Sequence, residues 1–225
     1  GIHTHKPDQT NCHAATSERI HHRFIHQAIN YKGLRFFPVS LLALAPTAQK
    51  MPSPDLVKMM FDAVEEKDEQ AVTDLLEKGV DPNAENVLGF TPFMWACQNS
   101  TYQIVKQLIE AGADINKVTE MGRTPMLFAI KGNNIPAVKL LIEKHADLNQ
   151  RVLEEGYTYL SYAAREGLRD ICRVLVKGGA DLLATDKNGR TALDCARHAD
   201  YLLTAKYIES ELRRESQVLT RTLTL

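Results

Sequence analysis

The sequence predicts an all-α solenoid, a stack of tandem helix-turn-helix units joined by short hairpin loops and capped at both ends. Three observations predict it. Gly89, Gly122, Gly156 and Gly189 are spaced by 33, 34 and 33 residues, and Thr91, Thr124, Thr158 and Thr191 follow two places later at the same step. The apolar pairs Leu75-Leu76, Leu108-Ile109, Leu141-Ile142 and Leu175-Val176 keep that period, as do Asp81, Asp114, Asp147 and Asp181. Self-similarity at such a period marks an architecture in which single units cannot bury their apolar faces alone. The third observation is compositional. With 44% hydrophobic and 24% charged residues, the chain is of ordinary globular type, and no apolar run approaches the ~20 residues of a membrane-spanning helix.

Each element follows from local chemistry. Ser53-Pro54 opens a first unit, with helices expected at about 54–66 and 69–78 and no Gly-x-Thr-Pro before it. Gly-Phe-Thr-Pro (89–92) and Gly-Arg-Thr-Pro (122–125) then place glycine in a turn, threonine as helix cap and proline at the first helical position, where its missing N–H costs nothing. The first helices carry small residues, Ala96, Ala129, Ala163-Ala164 and Ala196, which permit close approach between neighbours. Second helices carry the stripe Ile104-Val105, Leu108-Ile109, which buries one face. Gly79, Gly112 and Gly179 end them with a left-handed cap; His145 stands where the third such glycine belongs. The one-residue slip falls between Asp147 and Gly156, in a loop that tolerates insertion. In the last unit Glu209 replaces the apolar Ile109, Ile142 and Val176, so its outer face turns polar, as a terminal unit requires. A helix at about 201–216 closes the stack. The expected division is residues 1–50 as an extension, a repeat domain over 51–216 (units 54–85, 86–118, 119–151, 152–185 and 186–216) and a tail over 217–225.

Gly-Phe-Thr-Pro-Phe (89–93), Glu-Ala-Gly-Ala-Asp-Ile-Asn (110–116) and Lys-Leu-Leu-Ile-Glu (139–143) resemble the ankyrin repeat, over about residues 54–210. The resemblance implies a right-handed stack of helix pairs, with hairpin loops at one edge and a concave helix face. It also implies that the chain binds another protein. A departure is that the histidine often found after Thr-Pro-Leu is replaced by Met94, Leu127, Ser161 and Asp194, so the family's inter-repeat histidine network is absent.

Residues 1–50 carry none of the repeat. They hold six Lys/Arg against two acids and six of the eight histidines, leaving 21 bases against 26 acids in residues 51–225. Three readings are open: a disordered extension, an added helix on the first repeat, or a targeting segment, with Met51 as a candidate natural start. His22 and His26 share one helical face, and Cys12, His13 and His21 could complete a zinc set. No paired metal-ligand spacing is met, and a solvated tail is favoured over a site. The mildly acidic body does not suit nucleic acid.

No phosphate loop, dinucleotide fingerprint, nucleophile elbow or His-Glu-x-x-His is present. Cys97, Cys172 and Cys195 fall at packing positions. The expectation is a non-enzymatic monomer without cofactor or metal, with reduced thiols, in the cytoplasm or nucleus. It would act as an adaptor, scaffold or inhibitor of a partner protein. The alternatives are a regulatory or targeting fragment of a larger enzyme, and metal or nucleic-acid binding through the basic arm.

The resemblance implies that the residue after each turn glycine is exposed: Phe90, Arg123, Tyr157 and Arg190, types enriched in binding hot spots. Val87, Leu88, Met121, Glu154, Lys187 and Asn188 sit beside them, and the tip Val-Leu-Gly-Phe is unusually apolar. Gln98, Asn99, Lys131 and Arg165 lie farther along the first helices and face inward. Trp95, Phe128, Tyr162 and Cys195 form a further stripe, for which packing is favoured over recognition.

Overall fold

The computed structural model describes residues 54–223; the expectations for residues 1–50, including the histidine cluster and Met51, lie outside the described residues. Five helical hairpins follow one another: α1 (Pro54–Glu66) with α2 (Glu69–Glu77), α3 (Pro92–Asn99) with α4 (Tyr102–Glu110), and α5 (Pro125–Lys131) with α6 (Ile135–Glu143). They continue as α7 (Tyr159–Arg165) with α8 (Arg169–Lys177), and α9 (Ala192–His198) with α10 (Leu202–Leu223). First helices pack on first helices and second on second, so the all-α solenoid is observed.

The threonine period is a capping period. The hydroxyls of Thr91, Thr124, Thr158 and Thr191 accept from the backbone N–H of Met94, Leu127, Ser161 and Asp194 respectively. Each thus satisfies an otherwise unpaired donor at a helix start. Ala96, Ala129, Ala163, Ala164 and Ala196 are fully buried. Ile104, Val105 and Leu108 of α4, with Val138 and Leu141 of α6, close the layer from the second-helix side. Each fully buried leucine or isoleucine contributes roughly 1.5–3 kcal/mol relative to exposure.

The aspartate period folds the turns between units. Asp81, Asp114 and Asp147 accept from the N–H of Asn83, Asn116 and Asn149 two residues on. Those asparagines then tie each unit to the next. Asn83 accepts from Asp114 N–H at 2.7 Å and donates to the Gly112 carbonyl at 3.0 Å, and Asn149 accepts from Asp181 N–H at 2.9 Å. Leu183 takes the asparagine position in the last such turn and is exposed, so the ladder ends there. At the equivalent of Ile109, Glu209 is half-buried and pairs with Arg213 at 2.9 Å and Arg197 at 3.6 Å. α10 continues to Leu223, past the expected end at 216. No glycine or proline interrupts it, and the Arg213–Glu209 and Arg214–Glu211 pairs support its exposed part.

The extra residue of the third loop is resolved into a different hairpin. Elsewhere Asn86, Thr119 and Asp186 pair by N–H to the carbonyl four residues on, and their side chains also accept from the N–H of Phe90, Arg123 and Arg190. Val152, which has no side-chain acceptor, instead pairs with Tyr157 five residues on, as an isolated antiparallel bridge. Tyr159 follows where the preceding units have proline. Its fully buried ring reaches back to the cap of the previous unit, with its hydroxyl 2.7 Å from the Thr124 hydroxyl. α5 and α7 consequently pack less closely than α3 with α5 or α7 with α9.

Two backbone positions carry opposite constraints. His145 has φ +62°, as its place at a glycine cap position predicts, which a Cβ disfavours. Gly132 has φ −78°, but a Cβ there would overlap the Gln98 carbonyl oxygen of the preceding hairpin. His145→Gly is expected to raise the melting temperature by about 1–4 °C, since relief of strain outweighs the added unfolded-state entropy. Gly132→Ala, which forces a steric shift between units, is expected to cost about 1–3 kcal/mol in urea unfolding. A neutral His145→Gly would remove strain as the account of that turn.

Candidate protein-binding surface

The first two hairpin tips diverge enough to leave a groove of about 550 Å³ between them. Its walls include Val87 and Leu88 from one tip and Val118 and Met121 from the other, with exposures of 64%, 50%, 46% and 61%. Lys117 pairs with Glu85 at 2.7 Å beside it, joining the two loops. The apolar residues are therefore held outward by loops that are themselves fixed. The third and fourth tips differ. Lys187 N–H donates to the Glu155 carbonyl at 3.1 Å, and the Lys187 side chain lies over Gly156, which closes the space between them. Glu154, Lys187 and Asn188 are exposed there.

The expectation that residues after the turn glycines are exposed is corrected by the structure. Phe90 and Tyr157 are buried, at 7% and 4% exposure. Phe90 packs edge-on against Phe128 with centroids 5.2 Å apart, and Tyr157 packs likewise against Tyr162 at 6.4 Å. Each ring turns inward because a first helix offers an aromatic partner, α5 of the next unit for Phe90 and α7 of its own unit for Tyr157. Arg123 and Arg190, in the same register, are half-buried. They stay at the surface because their charges cannot follow the rings inward without a partner.

On this first-helix face three rings are covered by cations. The Arg123 guanidinium lies 5.3 Å from the Phe90 centroid, and Lys131 Nζ lies 5.9 Å from that of Tyr162. Arg165 and Arg190 stand 5.4 and 5.8 Å from Tyr157. Gln98 and Asn99, earlier in the same row, are half-buried, and Lys131 and Arg165 are exposed. Burial and the neighbouring Arg123 charge lower the pKa of Lys131 against the opposing pull of Glu166. Burial, helped by Glu166, pushes the Tyr162 hydroxyl up to about 12. Of the aromatic stripe, Phe128 and Cys195 are buried and Trp95 and Tyr162 half-buried, so packing dominates that row.

Arg190 is the most closely paired of these cations. It binds Asp186 at 2.7 Å and donates to the Tyr157 hydroxyl at 3.1 Å. Burial alone would raise the pKa of Asp186. The hydrogen bonds from Arg190 and Asn188, with the guanidinium charge, carry it below the ordinary carboxylate value instead. Cys97 and Cys172 are fully buried and Cys195 nearly so, and burial raises all three thiols, that of Cys172 to about 12. Thiols held protonated are poor nucleophiles. Among the described residues no group of three His, Cys, Asp or Glu side chains converges as metal ligands, and no helix is long and apolar enough to cross a membrane.

A family model for ankyrin repeats in three copies matches residues 60–152, and a single ankyrin repeat model matches residues 155–187. The chain belongs to the ankyrin repeat family. Ankyrin repeats are generally protein–protein interaction modules, and the family is typically non-enzymatic. The matched ankyrin segments hold the first two tips, most of the third and the start of the fourth, with the candidate contacts from Val87 to Lys187 apart from Glu154.

The Asp186–Arg190 pair fastens the fourth tip of the ankyrin stack, and its pH dependence follows from the direction of the shift. A carboxylate whose folded pKa is depressed contributes stability that is present above its unfolded pKa and lost as pH falls through the folded value. The stability difference between Asp186→Asn and the parent is therefore expected to be full near pH 7. It should shrink on acidification below about pH 4, as read by urea unfolding at both pH values. An equal difference at pH 7 and pH 3 would remove the ion pair as its cause.

Proposed function

We propose that this ankyrin repeat protein is a non-enzymatic adaptor or scaffold that binds a partner protein across its hairpin tips and first-helix face. The observation that carries the reading is the groove between the first two tips, where Val87, Leu88, Val118 and Met121 stand exposed together. Contiguous exposed apolar side chains rimmed by polar groups mark contact sites. The loops that present them are fastened by the Asn86 and Thr119 side-chain hydrogen bonds and by the Lys117–Glu85 pair, so little conformational entropy is lost on binding. A specific contact would bury on the order of 1,600 Å² in total, more than one groove supplies. The first-helix row of Gln98, Asn99, Lys131 and Arg165 and the remaining tip residues supply the rest. Among the described residues Cys97, Cys172 and Cys195 are buried and free, which fits a reducing compartment, the cytoplasm or nucleus.

Because Phe90 and Tyr157 are buried, truncating them tests folding rather than docking. Val87→Asp with Met121→Asp changes two exposed side chains and leaves the core intact. The full-length double variant is expected to retain its helical circular dichroism and melting temperature. Proteins retained by the immobilised parent chain from native lysate should fall at least tenfold, measured by quantitative mass spectrometry. An unchanged set of retained proteins would move the docking surface away from these tips.

A further inference from the structure

The first-helix face places three cations on buried or half-buried rings, with the carboxylate of Glu166 among them. Arg123 rests on Phe90, Lys131 on Tyr162 and Arg165 on Tyr157. The acids of this region are otherwise engaged: Asp186 holds Arg190, and Asp194 closes the Thr191 cap with two hydrogen bonds of 2.7 and 2.9 Å. Glu166 faces the row, 3.9 Å from Arg165 Nε and close enough to act on Lys131. The Arg123 Nε is buried and meets no acceptor. Such a group is costly unless something supplies one. Arg123 also acts on Lys131, so two like charges of one unit are held together rather than apart. The body of the chain is acidic overall, which makes this cluster a local feature and not a consequence of composition.

We propose that the first-helix face of Arg123, Lys131 and Arg165 binds an extended acidic peptide segment of the partner protein, its carboxylates pairing with these ring-backed cations. This rests on the reading that the same face docks a protein, and it names the chemistry of what docks. Lys131 and Arg165 stand on the successive first helices α5 and α7, and packed helices lie about 8–10 Å or more apart. An extended chain rises about 3.3 Å per residue, so carboxylates three residues apart match that step. A ring beneath each cation orients it without neutralising it, which leaves the charge available to an incoming anion. Single-stranded nucleic acid is the weaker fit, because it stacks bases on open aromatic faces, and here Phe90 and Tyr157 are buried under their cations.

The test is fluorescence anisotropy of the full chain with a fluorescein-labelled decapeptide of Glu-Gly-Ser repeats, whose glutamates fall three residues apart. A Lys-Gly-Ser decapeptide and a labelled single-stranded oligonucleotide serve as comparison probes. The acidic probe is expected to bind at least tenfold more tightly than either and to weaken as salt is raised. Lys131→Gln and Arg165→Gln should each lower its affinity several-fold and together at least tenfold. The exposed Lys139→Gln, on α6 and outside this row, should leave it unchanged. Circular dichroism of the variants establishes that they remain folded. Absence of acidic-peptide binding, binding indifferent to Lys131 and Arg165, or tighter binding of the oligonucleotide would each overturn the proposal. Loss of retained proteins in the tip variant Val87→Asp/Met121→Asp, alongside a failed acidic probe, would leave the docking reading standing and remove only the acidic partner.

Discussion

No hairpin in this protein can bury its own apolar surface. Each pair of short helices presents a layer such as Ala96 with Leu108, or Ala129 with Leu141, that is closed only by the units on either side. Everything else follows from that dependence on neighbours. Alanines in the first helices allow the close approach that closes the layer. Threonine caps and aspartate turns give every unit the same pitch, so that its layer meets the next one in register. Asn83, Asn116 and Asn149 then fasten each turn to the one that follows, through backbone groups of the next unit. Stability in such a stack is approximately a sum of unit and nearest-neighbour terms.

Most of the fold was legible because repetition converts weak local signals into strong ones. One Gly-x-Thr-Pro is a modest hint, whereas threonines at a fixed step through four hairpins locate four helix starts, all of which are capped as expected. What escaped was information carried between units. Gly132 is required by the approach of the Gln98 carbonyl from the previous hairpin, and nothing in its own neighbourhood signals that. Tyr159 in place of proline reads as a lost helix-start residue. In space it supplies a hydrogen bond to Thr124, one inter-unit tie in a chain that lacks the histidines expected there. The continuation of α10 past residue 216 was open to inspection, since no breaker follows, but no repeat position extends that far.

The candidate surface was legible by residue type and only partly by placement. Val87, Leu88 and Met121 are exposed as their loop positions suggested, and Arg123 and Arg190 remain at the surface. Phe90 and Tyr157 share the register of those arginines and turn inward instead. A register position fixes where the Cα lies. The side chain then chooses between water and the nearest ring, and for an aromatic residue the ring wins. The two outcomes are complementary, because the buried rings become the plates on which the cations rest. Packing and recognition are thus built from one set of contacts, and a substitution at a ring disturbs both.

Native-state hydrogen exchange, read amide by amide on the full chain, addresses the neighbour dependence most directly. The account predicts the greatest protection in α3, α5 and α7, which have units on both sides, with protection falling toward α1 and toward the distal turns of α10. Uniform protection along the stack, or a maximum at either terminal hairpin, would contradict it.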